Sequence, residues 1–268
     1  MNYYNDKLLS LISHEILEID TEKIKSIYNS FQKGETPKIK TEEIGANYRK
    51  FLIQEGVKHR QFDLPYFFDN KKEKTIMIIG MDPKSTNPDD EHVLLNTPYS
   101  LQTEAGQKTN ANDYGDIISS LSKEFNIYLT DIYKAYFLKG ILVSNENFEY
   151  ITFKNNKDSY SNFHESILMK EIDEVKPQGI LCWGRPSRNL TAKILKIKLK
   201  ASISLDNNYP YFAASPYEKL KLVATPHPSG LTRDKHWASF YEKNIPAKKY
   251  SKENRPKDLS EMILDKLI

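Results

Sequence analysis

The chain holds a single cysteine, Cys182, in 268 residues. One thiol makes no internal disulfide, cannot supply a four-cysteine zinc site and cannot hold an iron-sulfur cluster by itself. Set among apolar neighbours, it reads as a buried core residue. A surplus of charge is also missing, with 39 Lys and Arg against 36 Asp and Glu and a net charge of +3. So small an excess attracts a polyanion only weakly, and any nucleic-acid site has to be a local patch. Nowhere do eighteen apolar residues stand together, and the amino-terminal MNYYNDKLLS has no basic stretch followed by an apolar run. No membrane span and no secretory leader are therefore expected, which points to the cytoplasm. Internal repeats and low-complexity tracts are absent as well. So are a Walker phosphate loop, the GxGxxG of a dinucleotide site and the GxSxG of a serine hydrolase.

What is present is an ordinary globular composition, 39% hydrophobic, enough for one α/β domain with a well-buried core. Leu8, Leu9, Ile12, Ile16, Ile24 and Ile27 recur at near-helical spacing with a break around Ile19 to Thr21, which predicts two short amphipathic helices. Lys33 to Glu43 reads as a polar linker and Ala46 to Val57 as helical again. Residues 1–70 are thus expected to form a helical extension packed on a core domain over 71–245, with a helical tail over 246–268. In the core, Thr75 to Gly80, Ile127 to Thr130, Gly179 to Gly184 and Lys221 to Thr225 are short runs, apolar on both faces, that predict buried parallel strands. Helices are expected over Tyr114 to Phe125, Phe163 to Val175, Ser187 to Leu199 and around His236 to Lys243, and a long loop or hairpin over Asn145 to Asn162.

Each strand run ends in a polar or Gly/Pro-rich segment: Met81-Asp82-Pro83-Lys84, Asp131-Ile132-Tyr133-Lys134, Arg185-Pro186-Ser187 and Pro226-His227-Pro228-Ser229-Gly230. In an open parallel sheet, ligands bind at the carboxyl edge of the strands, so these four segments are expected to line one crevice. That gathers two carboxylates, Asp82 and Asp131, with the imidazole of His227.

GMDPKST, after the first strand, resembles the first motif of the uracil-DNA glycosylase superfamily, and HPSGLTR, after the fourth, resembles the second. Between them YLTDIYKAYF is similar to the base-reading strand of the superfamily's four-cysteine branch, and EIDEVKPQGILCWGRPS to the helix and third strand. The similarity covers roughly Lys74 to Tyr241. It implies a three-layer α/β/α fold with a central four-stranded parallel sheet, and an enzyme that flips a base out of DNA and hydrolyses its N-glycosidic bond to leave an abasic site. DNA is the implied partner. No metal is implied, and the cluster-binding cysteines of the closest branch are missing, so no cofactor is expected.

Cleavage of an N-glycosidic bond develops positive charge on the sugar and negative charge on the departing base. By resemblance, Asp82 orients the attacking water and opposes the sugar cation, while His227 hydrogen-bonds the developing oxyanion on the base from a protonated inward nitrogen. Ser229 and Gly230 match the loop that grips DNA phosphates, Leu231 the apolar wedge that enters the base stack, and Arg233 a phosphate contact. Pro83, Pro228 and Arg185 fall with these DNA-contacting loops, and Met81 with the base pocket. Tyr99, in NTPYSLQ, resembles the aromatic on which the flipped base stacks, with Tyr114 as the alternative. Plainer roles stay open: Asp82 as a loop cap, His227 as a structural histidine, Leu231 as a core leucine.

At the position where members that remove uracil commonly carry a base-reading asparagine, this chain has Asp131. An asparagine amide both donates and accepts, as uracil requires, whereas an ionised carboxylate only accepts and so suits the exocyclic amine of cytosine. Lys84 stands where some uracil-specific members place an aromatic that crowds the base C5, so the pocket is expected to admit a C5 substituent. A modified cytosine of foreign, phage DNA fits both substitutions and would make the protein an antiviral defence enzyme. The competing readings are a uracil-DNA glycosylase of base-excision repair, a DNA-binding module of the same fold without chemistry, and an unrelated hydrolase of small nucleosides. In a further reading, Asp131 is a structural carboxylate paired with Lys134.

Overall fold

The computed structural model describes residues 6–46, 49, 61–81, 91–103, 106, 114–134, 157–196, 213–214, 220–228 and 234–267; at 157–163, 185, 213–214 and 267 it describes the backbone alone. In chain order the elements are α1 (Asp6–Leu11), a π-helical stretch Ile12–Leu17, α2 (Thr21–Gln32), β1 (Lys38–Lys40), β2 (Gln61–Asp63), β3 (Tyr66–Phe68), β4 (Thr75–Gly80), β5 (His92–Asn96), α3 (Asp116–Leu121), β6 (Asn126–Asp131), α4 (Lys157–Val175), β7 (Gly179–Trp183), α5 (Arg185–Ile194), β8 (Ala213–Ala214), β9 (Lys221–Thr225), α6 (Asp234–Asn244) and α7 (Arg255–Leu267). The chain divides into two compact units, Met1–Tyr66 with Met81–Gly106 and Thr130–Val175, and Phe67–Gly80 with Gln107–Leu129 and Lys176–Ile268.

In the first unit the break expected near Ile19 is made by Asp20, whose carboxylate accepts the Glu22 N–H at 2.8 Å and caps α2. Ile24, Ile27, Tyr28 and Phe31 then form one buried stripe at i, i+3, i+4 and i+7. α1 packs on α4. A three-stranded sheet of order β1-β5-β2 completes the unit, with β1 antiparallel and β2 parallel to β5. Its strands carry three to five residues each. β1 lies inside the segment expected to be a linker, because one buried residue, Ile39, between two exposed lysines gives no pattern to read. The helix expected over Ala46 to Val57 falls almost wholly outside the described residues.

The sheet of the second unit corrects the expected four parallel strands. Among the described residues it has six, in the order β3-β6-β4-β7-β9-β8, and it is mixed, since β8 runs antiparallel to β9. The four anticipated runs are its centre, and β3 and β8 extend it at the edges. β7 pairs in parallel with β4 (Ile76 with Gly179 through Ile79 with Cys182) and with β9 (Gly179 with Lys221 through Trp183 with Thr225). This register brings the carboxyl ends of β4, β7 and β9 to one edge. Burial on both faces explains why these strands read as continuous apolar runs. Cys182 is fully buried in β7, and the loss of solvation pushes its thiol up to about 11.

The helices form much as the periodicity predicts, with shifted ends. α3 spans the middle of Tyr114 to Phe125, and α5 starts two residues before Ser187, with Pro186 in its first turn. α4 starts at Lys157, so the last residues of the expected Asn145 to Asn162 loop are helical; a polar first turn carries no apolar period. Residues 145–156 lie outside the described residues. α7 packs on α3 and β9, and its Arg255 guanidinium sits 4.8 Å from the Trp237 ring of α6.

Candidate active site

At the carboxyl edge of the second unit, His227 follows β9 between two buried prolines, Pro226 and Pro228, and is itself half-buried. Each proline fixes its own φ and drives the residue before it, Thr225 or His227, toward extended backbone, so the turn carrying the imidazole is stiff. The Gly184 N–H, just past β7, donates to the Thr225 carbonyl at 3.0 Å and ties the two strand ends together. Gly184 has φ 86° and ψ 165°, a conformation open almost only to glycine and costing another residue about 1–3 kcal/mol. A Cβ there would lie 3.4 Å from His227 Cβ and 3.5 Å from Cδ2, ordinary van der Waals distances, so the backbone angle and not the space calls for glycine.

On its other side the imidazole meets Tyr114. The phenolic oxygen is 3.2 Å from His227 Nδ1 and the rings meet edge to face, 5.7 Å apart at 80°. Tyr114 is in turn 5.0 Å from the ring of Trp183, the last residue of β7. Both aromatics are buried. Ser187 locks the start of α5 by donating to the Ile79 carbonyl of β4 at 2.7 Å.

In the first unit, Asp131 ends β6 with 2% of its surface exposed. Behind it lies a buried polar cluster. The Lys134 ammonium donates to the Asp131 main-chain carbonyl at 2.6 Å, to Glu171 Oε2 at 2.8 Å and to the Thr130 hydroxyl, and Thr130 Oγ1 donates to Glu171 Oε1 at 2.9 Å. Both side chains of the Lys134–Glu171 pair are 0% exposed. His164, also buried, packs edge-on against Tyr133 at 5.1 Å. Desolvation, with the Lys134 charge adding to it, holds the His164 imidazole well below the usual histidine range. The Tyr133 N–H donates to the Met81 carbonyl at 3.0 Å, and the Lys134 carbonyl accepts from the Asp63 N–H at 2.7 Å, so the segment after β6 is fastened on both sides.

Tyr99, half-buried in a short 3-10 turn, has φ 63° and the next residue, Ser100, φ 55°. Two consecutive left-handed residues with side chains are strained and need bracing. Ser100 supplies part of it, its N–H donating to the Thr97 carbonyl at 2.8 Å and its hydroxyl accepting from Asn96 Nδ2 at 2.9 Å. Gln102 supplies the rest: its Oε1 accepts the Thr97 N–H at 3.2 Å and its Nε2 donates to Asn96 Oδ1.

The family model described as the Uracil DNA glycosylase superfamily matches residues 67–248. The chain belongs to that superfamily. Members of the uracil-DNA glycosylase superfamily are DNA glycosylases, hydrolases of N-glycosyl bonds. No curated protein matches the chain. The superfamily segment contains β4, β6, β7 and β9 with Asp131, Tyr114 and His227, and leaves α1, α2, β1 and β2 before it.

Of the residues that the sequence assigns to the glycosylase site, the described ones fall in two groups. His227 and Pro228 stand in the second unit, where α5 begins at Arg185, whose side chain is outside the description. Met81, Tyr99 and Asp131 stand in the first. Asp82, Pro83, Lys84, Ser229, Gly230, Leu231 and Arg233 lie outside the described residues. The ion-pair partner of Lys134 is Glu171, and the hydrogen bond from Lys134 to Asp131 goes to its main-chain carbonyl. Sequence reasoning missed Glu171 and His164. Their signal was present: both sit on the apolar stripe of α4 with Ile167, Leu168 and Ile172. Among the described residues no group of three His, Cys, Asp or Glu side chains is placed to hold a metal, and no helix is long and apolar enough to cross a membrane.

Proposed function

We propose that this superfamily member is a DNA glycosylase whose substrate is a C5-modified cytosine of foreign, phage DNA. The observation that carries the reading is Asp131, a buried carboxylate ending β6 in place of a base-reading amide. A carboxylate offers acceptors to the exocyclic amine of cytosine and no donor to the O4 of uracil. The Lys134, Glu171 and Thr130 cluster behind it supports the same reading, because a reading group has to be held still to discriminate between bases.

The reaction follows from the charges it develops. The bond from C1′ to the base nitrogen breaks, its electron pair leaves with the base, a water oxygen bonds C1′, and the proton that water sheds balances the one the base anion takes up. Asp82 orients that water and opposes the sugar cation. His227 donates a hydrogen bond to the base oxygen on which negative charge collects. Tyr99 stacks on the flipped base; Tyr114, packed between Trp183 and His227, is engaged elsewhere. Met81 contributes to the base pocket, and Lys84 is the residue assigned to hydrogen-bond a C5 substituent. Ser229, Gly230, Pro83, Pro228, Arg185 and Arg233 contact the backbone, and Leu231 fills the gap the base leaves.

The test is a panel of oligonucleotides bearing uracil, cytosine, 5-hydroxymethylcytosine or its glucosylated form, with abasic sites read by alkaline cleavage. Release of a modified cytosine with uracil left intact is the expected result. Cleavage at uracil alone would make the protein a repair enzyme and end the cytosine assignment. Cleavage of none, with DNA bound, would leave a binding module.

A further inference from the structure

We infer that Tyr114 is a positioning residue that sets the tautomer and orientation of His227; this rests on the glycosylase reading of His227. On one edge of the imidazole Nδ1 is engaged by the Tyr114 hydroxyl at 3.2 Å, with the two rings edge to face 5.7 Å apart. The buried prolines on either side stiffen the backbone that carries the ring. The sense of the Tyr114 hydrogen bond decides the chemistry. A phenolic oxygen shares its lone pairs with its own ring and accepts poorly, whereas the in-plane lone pair of an imidazole nitrogen accepts well. Tyr114 therefore donates and Nδ1 accepts. A neutral imidazole with an accepting Nδ1 carries its proton on Nε2. It then needs no positive charge to donate a hydrogen bond from Nε2 to a base oxygen as negative charge builds there.

Trp183 is the reason Tyr114 can do this. The phenol ring packs 5.0 Å from the indole at the end of β7, a strand buried along its whole length, which fixes where the hydroxyl points. The strand that supplies Trp183 also leads into Gly184, whose N–H donates to the Thr225 carbonyl at 3.0 Å, so β7 both carries the ring that aims Tyr114 and ties down the strand end that leads to His227. A tyrosine on an exposed helix face would hold neither distance nor direction.

The test replaces Tyr114 with Phe, which keeps the ring and removes the hydroxyl, in full-length protein labelled with 15N-histidine. The His227 signals are assigned by their loss in His227→Gln. In the wild type, His227 is expected as the Nε2–H tautomer, with Nδ1 displaced upfield as a hydrogen-bonded acceptor. Y114F is expected to abolish that displacement and to lower single-turnover kcat about tenfold, equivalent to ~1.4 kcal/mol, with KM within about twofold. An Nδ1–H tautomer in the wild type, or Y114F spectra unchanged at His227, would overturn the inference. Because the spectra need no substrate, they decide it even if the oligonucleotide panel shows no base released. If bases are released and Y114F loses the Nδ1 displacement but keeps full kcat, the role of Tyr114 in turnover is refuted. A thermal melt of Y114F matching the wild type shows that packing is retained, and Tyr114→Trp, which also removes the hydroxyl, repeats the measurement if it is not.

Discussion

Replacing Lys134 with Met keeps the reach of the side chain and deletes its charge. In the protein that ammonium meets three oxygens, the Asp131 carbonyl, the Thr130 hydroxyl and Glu171 Oε2, and neither member of the ion pair is exposed at all. The substitution would leave Glu171 as a carboxylate in the interior without its cation. Removing one partner of a buried pair costs about 3–5 kcal/mol, much of it the stranded charge and not the lost attraction. For a chain of this size each kcal/mol moves the midpoint by about 2–4 °C, so Tm should fall by roughly 6–20 °C. The companion variant, Lys134→Met with Glu171→Leu, removes both charges and fills the space with apolar atoms, and is expected within about 1–2 kcal/mol of the wild type. Urea titration followed by circular dichroism at pH 7 gives both values as midpoint shifts at constant slope. A single variant as stable as the wild type, or a double variant as unstable as the single, would refute the account of the pair. Both variants release the Asp131 carbonyl, so selectivity among modified bases should loosen even in the stable double variant.

Three further outcomes follow. His164 stays neutral in the folded chain well below the pH at which an unfolded histidine, near 6.5, takes its proton. Below that pH the unfolded chain therefore binds more protons and stability falls as pH drops, by up to ~1.4 kcal/mol per unit; His164→Phe should flatten that part of a stability curve measured from pH 7.5 to 5. Asp131→Asn restores an amide that can donate to O4, and the ratio of kcat/KM for uracil over modified cytosine should rise; an unmoved ratio would remove Asp131 from base reading. Asp82→Asn and His227→Ala should each slow single-turnover excision by about 10²–10³-fold, with the Kd for an uncleavable duplex within a few-fold, and a parallel loss of binding would count against catalytic roles.

The central strands were legible because strands buried on both faces must be apolar throughout, as TIMIIG and GILCW are. The edges were not. YFF and the two alanines of β8 are too short to show a period of two, and KIK carries its signal in Ile39 alone. Their positions come from partners distant in the chain, such as Lys38 opposite Leu94. His227 could be singled out because it stands between prolines in a motif at a strand end. Tyr114 could be picked out as an aromatic near the site, but its hydrogen bond to Nδ1 spans 113 residues and no local pattern encodes it. Glu171 and His164 failed for a different reason. A polar residue on the apolar stripe of a helix is usually a flaw in the pattern, and here it marks a buried network whose other half is in the segment after β6.

The burial of Cys182 has a practical side. With its thiol enclosed in β7 and pushed up to about 11, almost none is thiolate at neutral pH, and the folded protein should ignore maleimides and mild oxidants. No other sulfhydryl competes, since the sequence has just this one. A cysteine introduced at an exposed position would then take a fluorophore at a single point without first stripping the chain of native thiols, and its emission could report on nucleotide extrusion in real time.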